Sequence, residues 1–144
     1  MPYGYGGRVL RVDLTTGKIG WEKTDPQFML KVIGGRGLNS RRLSLELKRD
    51  VDSLSPENLL LIGVGPLTGT LLTGSAYFTV SGKSPLTGIL GDSAAGGHFG
   101  PELKQAGYDQ IIITGRCEQP SYLLIADGKG HLGNDGGHPD RAWR

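Results

Sequence analysis

SPLTGILGDSAAGGHFGPELKQAGYD, residues 84–109, sets a glycine-rich run with almost no charge directly before what reads as the start of a short helix. Glycine lets main-chain N–H groups approach a ligand with no side chain in the way, and it also serves turns that need φ > 0 and elements that pack closely. Strands flank this stretch. Upstream, LLLIGV (Leu59 to Val64) is an unbroken apolar run of the kind buried on both faces, and AYFTVSG (Ala76 to Gly82) reads as a second strand. Downstream, QIIITG and SYLLIAD read as two more, with hairpin-turn chemistry in DGKG, Asp127 to Gly130. Nearer the N-terminus, GRVLRVDLTTGKIGWEK alternates Leu10, Val12 and Leu14 with Arg11 and Asp13, turns at TTGK, and sets Ile19 and Trp21 on one face, which is a hairpin pattern. Asp25-Pro26 offers an N-cap with proline at the first helical position, Gly34-Gly35 closes that segment, and a second helix is expected over about residues 38–48. The fold class is therefore α+β, rich in β-sheet with a few short helices.

Composition narrows function by exclusion. A chain of 144 residues fits one domain with a real core. Its 16 basic and 14 acidic residues leave a formal charge of +2 with no block of like charge, so neither nucleic acid nor a membrane surface is an expected partner. The one cysteine, Cys117, rules out an internal disulfide framework and supplies at most one of the four thiolates that an iron–sulfur cluster ordinarily takes. MPYGYGGRVLRVDL lacks the pattern of a signal peptide and no apolar run reaches ~18 residues, so a cytoplasmic protein is expected.

Pro-Leu-Thr-Gly occurs at residues 66–69 and again at 85–88, each time after an expected strand. Proline and glycine making two similar turns accounts for the echo. Between Leu59 and Pro101, however, only Lys83 and Asp92 carry charge while ten of the 25 glycines fall there, a pattern that suits a surface covered by another domain, a partner or a cofactor. GGHFG lacks the G-x-G start of a dinucleotide fingerprint, and Gly82-Lys83-Ser84 resembles the end of a P-loop only until Tyr77 is found in the place of its first glycine. Gly96, Gly97 and Gly100 leading into a helix from Pro101 offer free N–H groups to a phosphate or pyrophosphate, although Glu102 in the first turn can satisfy that end alone. GDSAA (Gly91 to Ala95) approximates a nucleophile elbow with Asp92 and His98 close by, yet no second orienting group or oxyanion hole is legible. His98, His131 and His138 are too scattered for a zinc site, and neither catalytic nor metal-ligating residues are assigned.

YGYGGRVLRVDLTTGKI, IGGRGLN, LSPENLLLIGVGPLTGT, SPLTGILGDSAAGGHFGPELKQAGYD and IIITGRCEQPSYLLIADG, in that order, resemble the N-terminal domain of the tungsten-containing aldehyde ferredoxin oxidoreductase family, over about residues 3 to 128. The resemblance implies a domain of residues 1–128 that forms a base for a tungstopterin, a metal held by two pterin dithiolenes with a bridging magnesium. It implies oxidation of aldehydes to carboxylic acids, with electrons leaving through a [4Fe-4S] cluster to ferredoxin. The pterin-facing positions carried over are the main chain of Ala94, Ala95, Gly96 and Gly97. Two family residues are replaced: an asparagine of this loop by Ala94, and an arginine after the TG turn by Tyr77.

Residues 129–144 depart from the family pattern and read as a disordered or atypical tail. The second pterin-binding half, the helical domains and the cluster cysteines have no counterpart in this sequence, so the chain alone is expected to be inactive and to bind no cluster. Two readings stand open. One is a cofactor-cradling fragment or subunit whose partners are the missing C-terminal domains or a separate large subunit, ferredoxin in the complete enzyme, and a second copy of the chain. The other is a non-catalytic binding or assembly module that kept the fold and lost the cofactor.

Overall fold

A computed structural model describes residues 4–134. The first hairpin forms as its alternation requires, with β1 (Arg8–Asp13) and β2 (Lys18–Lys23) antiparallel. Its turn is held by Asp13, whose carboxylate accepts from Thr15 N at 2.9 Å and from the Thr16 hydroxyl at 2.7 Å. Those bonds, the Thr16 hydroxyl foremost, lower the Asp13 pKa. Asp25 caps α1 (Pro26–Val32) by accepting from Gln27 N at 2.9 Å. Helix α2 (Gly35–Glu46) begins three residues earlier than its apolar pattern suggests, opening at Gly35 with φ 51°, a left-handed conformation that glycine takes without strain.

Strands β3 (Leu60–Val64), β4 (Phe78–Lys83), β5 (Leu90–Ala95) and β6 (Tyr108–Thr114) complete a six-stranded sheet, with α3 (Phe99–Gln105) between the last two. The order is β2-β1-β6-β3-β4-β5, antiparallel throughout except for the parallel pair β1 and β6. A separate hairpin, β7 (Ser121–Ala126) with β8 (Lys129–Asn134), packs over one face. The atypical tail was expected from residue 129; its first six residues are strand β8, turned by Asp127-Gly128, and the rest of that expectation, residues 135–144, lies outside the described residues.

The strand period of two divides the core between the faces. Val9, Leu61 and Ile112 meet Leu43 of α2, with Leu59, on one side. Leu10, Val12, Val64 and Ile111 meet Leu103 of α3 on the other, where Leu123 and Ile125 of β7 close over them. Tyr108, 1% exposed, donates its hydroxyl to Gly128 O at 2.7 Å and so fastens the second hairpin to the sheet. LLLIGV is buried less evenly than its unbroken apolarity suggests: Leu60 is 45% exposed.

Both Pro-Leu-Thr-Gly segments are turns that follow strands, and each glycine has positive φ, 80° at Gly69 and 69° at Gly88. The first leaves β3, with Thr68 Oγ1 accepting from Gly65 N at 3.1 Å; the second joins β4 to β5, with Gly88 N donating to Ser84 O at 2.9 Å.

Candidate cofactor-facing edge

Strand β5 is an edge strand, paired only with β4, where the sequence pattern announces no strand. Ala94 and Ala95 are its last two residues, opposite Thr79 and Phe78. Glycine and alanine favour strands weakly, so pairing to β4 overrides local preference here. Gly96 and Gly97 then leave the sheet, and the run Ser93 to Phe99 is exposed throughout. At Gly97, φ is 120° and no atom lies within 4 Å of where a Cβ would stand. A Cβ on Gly96 would rest in ordinary contact with the Tyr77 ring at 3.7 Å. The four positions Ala94, Ala95, Gly96 and Gly97 therefore come together as one stretch of accessible main chain.

Helix α3 starts at Phe99, two residues before the expected Pro101, with His98 as N-cap and no side-chain capping bond. It is a single short segment of seven residues. Gly100 sits against the turn that precedes β4: a Cβ there would lie 3.2 Å from Thr68 and 3.3 Å from Tyr77 O. Lys104 of α3 is committed to Asp109, at 2.5 Å, and Asp109, fully buried, also accepts from Gly6 N and Gly7 N at 2.9 and 2.6 Å. An anion at this edge would be met by main-chain N–H groups and not by that lysine.

Neither charge of the span Leu59 to Pro101 is free. Lys83 Nζ donates to Arg49 O and Val51 O at 2.8 and 2.6 Å, which removes it from any phosphate-binding role. Asp92 accepts from Ser81 Oγ at 2.8 Å and from Arg36 Nε at 2.7 Å. GDSAA is no nucleophile elbow, in keeping with its rejection on sequence: Ser93 lies within a paired strand, not on a strand-to-helix turn, and Asp92 is engaged by Arg36 and Ser81. The same span holds nine of the sixteen large exposed hydrophobics among the described residues, including Leu67, Leu71, Leu72, Tyr77 and Phe99. Patches of this kind ordinarily mark an interface.

Among the described residues no group of three or more His, Cys, Asp or Glu is arranged to hold a metal ion. Cys117 is half-buried, 3.6 Å from Leu14 O. No helix among them is long and apolar enough to cross a membrane.

The domain is thus a mixed sheet with an exposed edge strand beside a group of exposed apolar side chains. The family model for the aldehyde ferredoxin oxidoreductase N-terminal domain matches residues 9–138, and the chain belongs to that family. It is 47% identical over 125 residues to the tungsten-containing aldehyde ferredoxin oxidoreductase of Pyrococcus furiosus, which is 87% of this chain and 21% of that protein. It is 43% identical over 126 residues to the WOR-like subunit of an aliphatic sulfonate oxidoreductase from the same organism, 85% of this chain and 20% of that one. Among solved structures, a chain of the active-site complex BamBC of benzoyl coenzyme A reductase, in complex with 1,5-dienoyl-CoA, superposes with a TM-score of 0.90 at 41% identity, covering 93% of this chain and 20% of the other. The chain thus spans about one fifth of the length of the relatives it matches.

Proposed function

We propose that this chain is the N-terminal cofactor-cradling part of a tungsten or molybdenum pterin oxidoreductase, acting in the cytoplasm. The observation that carries the proposal is the accessible main chain of Ala94 to Gly97 at the sheet edge, within a chain related at 47% identity to a tungsten-containing aldehyde oxidoreductase. The cofactor would be a bis-pterin tungsten centre with its magnesium, and when bound it would supply the two-electron redox chemistry. The protein's share at this edge is to hold main chain at a fixed height, to leave the approach free of side chains, and to offer N–H groups to a pyrophosphate. The substrate is an aldehyde, oxidised to its carboxylic acid; a [4Fe-4S] cluster, ligated by cysteines outside this chain, would pass the electrons to ferredoxin. The exposed apolar surface around Leu67, Leu71, Leu72 and Tyr77 is where the remaining domains or a large subunit would lie.

Ala94 and Tyr77 favour a second reading, in which a binding or assembly module has kept the fold and lost the cofactor. Both positions lack the polar side chain that the family pattern carries there. Metal and pterin analysis of the purified chain, with and without its complementary polypeptide, decides between them. Cofactor retained by the complex and lost in Gly96→Val supports the first reading, since valine fills the approach path. Ala94→Asn should then retain the cofactor as well or better. A complex that assembles without metal or pterin supports the second.

A further inference from the structure

Beneath α2 the sheet carries a line of buried polar side chains that the cofactor reading does not use. Arg42 Nε donates to Gln110 Oε1 at 3.4 Å, Gln110 Nε2 to Asn39 Oδ1 at 2.8 Å, Asn39 Nδ2 to Ser81 Oγ at 3.0 Å, and Ser81 Oγ to Asp92 Oδ1 at 2.8 Å. Arg36 closes the far end on Asp92 Oδ2 at 2.7 Å. Gln110, Asn39 and Ser81 are at most 1% exposed. From Arg42 to Ser81 every donor points the same way, toward the carboxylate of Asp92, so the chain of bonds has one polarity and one anionic end.

This line crosses four strands, from β6 through β3 and β4 to β5, and Gly63 of β3 is the gap through which it passes: a Cβ there would stand 2.5 Å from Asn39 Oδ1. Its last member lies on β5, directly opposite Ser81 in the strand register and two residues before Ala94. The turn between the two strands, where Ser84 N donates to Ile89 O at 2.8 Å, holds the closed end of the hairpin; beyond it, among the described residues, Ser81 to Asp92 is the one side-chain hydrogen bond between β4 and β5. LGDSAA is mostly small, exposed at four of its six residues, and paired on one side only, a composition that opposes slippage weakly.

We propose that Asp92 is a positioning residue: tied to Ser81 and Arg36, it pins the register of β5 on β4 and thereby sets the place of the Ala94–Gly97 main chain. The consequence for cofactor binding rests on the function proposed above; the register pin does not.

The test is amide hydrogen exchange across the full chain in Asp92→Ala, Asp92→Asn and Arg36→Gln, with a register readout by disulfide trapping of Val80→Cys/Ser93→Cys, facing partners in β4 and β5, in a Cys117→Ser background. Asp92→Ala should speed exchange of the Leu90–Gly97 amides at least tenfold, leave those of β1 and β6 as in the parent, and lose trapping efficiency to the two-residue slip Val80→Cys/Ala95→Cys. Asp92→Asn, which keeps an acceptor for Ser81, should fall between, and Arg36→Gln supplies the measurement on a surface change if Asp92→Ala does not fold. Parent-like exchange and trapping in all three variants overturn the pin, as does acceleration spread evenly over the sheet. Register loss in Asp92→Ala, in a parent whose assembled complex holds no pterin, supports the pin and overturns the cofactor reading alone.

Discussion

Gly63→Ala places propensity and packing in opposition at one buried position. Within a strand, alanine is favoured over glycine by roughly 0.5–1 kcal/mol because it loses less backbone freedom on folding. Against this, the added Cβ would stand 2.5 Å from Asn39 Oδ1, 3.0 Å from Gly35 O and 3.1 Å from Asn39 Cγ. Asn39 cannot swing aside cheaply, since its amide bonds Gln110, Ser81, Thr79 and Leu61 at once and is 0% exposed. Overpacking costs about 1–3 kcal/mol, and a broken buried bond between Asn39 and Gln110 costs about 1–3 more. Packing wins, and the net destabilisation is about 1–5 kcal/mol.

Urea denaturation read by tryptophan fluorescence measures this difference, with Gly20→Ala as control, since Gly20 is an exposed strand glycine with nothing within 4 Å of its Cβ position. The control should gain roughly 0.5–1 kcal/mol, since nothing opposes its propensity. In the double variant Gly63→Ala/Asn39→Ala the two losses should sum to more than the double loss, because one partner of the clash has gone. A Gly63→Ala protein as stable as its parent, or a control equally destabilised, would refute the steric account of this crossing.

The ion network of Arg11, Glu22, Arg42 and Glu46 joins β1, β2 and α2, with Arg11 Nη2 2.8 Å and Arg42 Nη1 3.0 Å from Glu46 Oε1. Burial pushes the Glu46 carboxyl up, yet the bonds and charges of Arg11 and Arg42 outweigh it and hold the pKa below the ordinary 4.5. A depressed folded value means stability present in full above about 4.5 and lost as pH falls through the folded value. Glu46→Gln should therefore cost about 1 kcal/mol at pH 7 and flatten the acid limb of the stability curve, checked by urea titrations between pH 7 and 3. Tyr108→Phe leaves Gly128 O without its hydroxyl partner and should destabilise by about 1 kcal/mol, with faster amide exchange in β7 and β8 as the readout. Leu71→Ser combined with Leu72→Ser should reduce apolar-dye binding and self-association of the isolated chain, measured by light scattering, with little change in unfolding free energy because both side chains are already exposed.

Where alternation is strict, the strands were legible. Arg8–Asp13 and Lys18–Lys23 sit where the period-two pattern of GRVLRVDLTTGKIGWEK places them, and Asp25-Pro26 begins a helix as its capping chemistry requires. Strand β5 was not legible, because LGDSAA has neither β-branched nor aromatic residues and its pairing to β4 is a tertiary fact with no local signature. The boundary of α2 was missed for a related reason: glycine is a poor helix former, and Gly35 enters the helix at φ 51°, outside the right-handed region. Asn39, Gln110 and Ser81 gave no signal as a set, since they lie on three elements far apart in sequence and meet only when β6, β3 and β4 are laid side by side.

The charge-poor span Leu59 to Pro101 was legible in composition, and the structure gives it a sharper physical meaning. A solvated loop region keeps its charges in water; here Lys83 points into carbonyls of Arg49 and Val51, and Asp92 points inward to Ser81 beneath Arg36. Burial of the domain's own core does not account for the remainder, because the apolar side chains at Leu67, Leu71, Leu72, Tyr77, Leu86 and Ile89 are each more than half exposed. Both charges serve the interior while the leucines face outward, the reverse of the usual partition on a free-standing surface. A chain that is 47% identical to one fifth of a larger oxidoreductase and turns its leucines outward in this way has the surface expected of a domain with further structure laid against it.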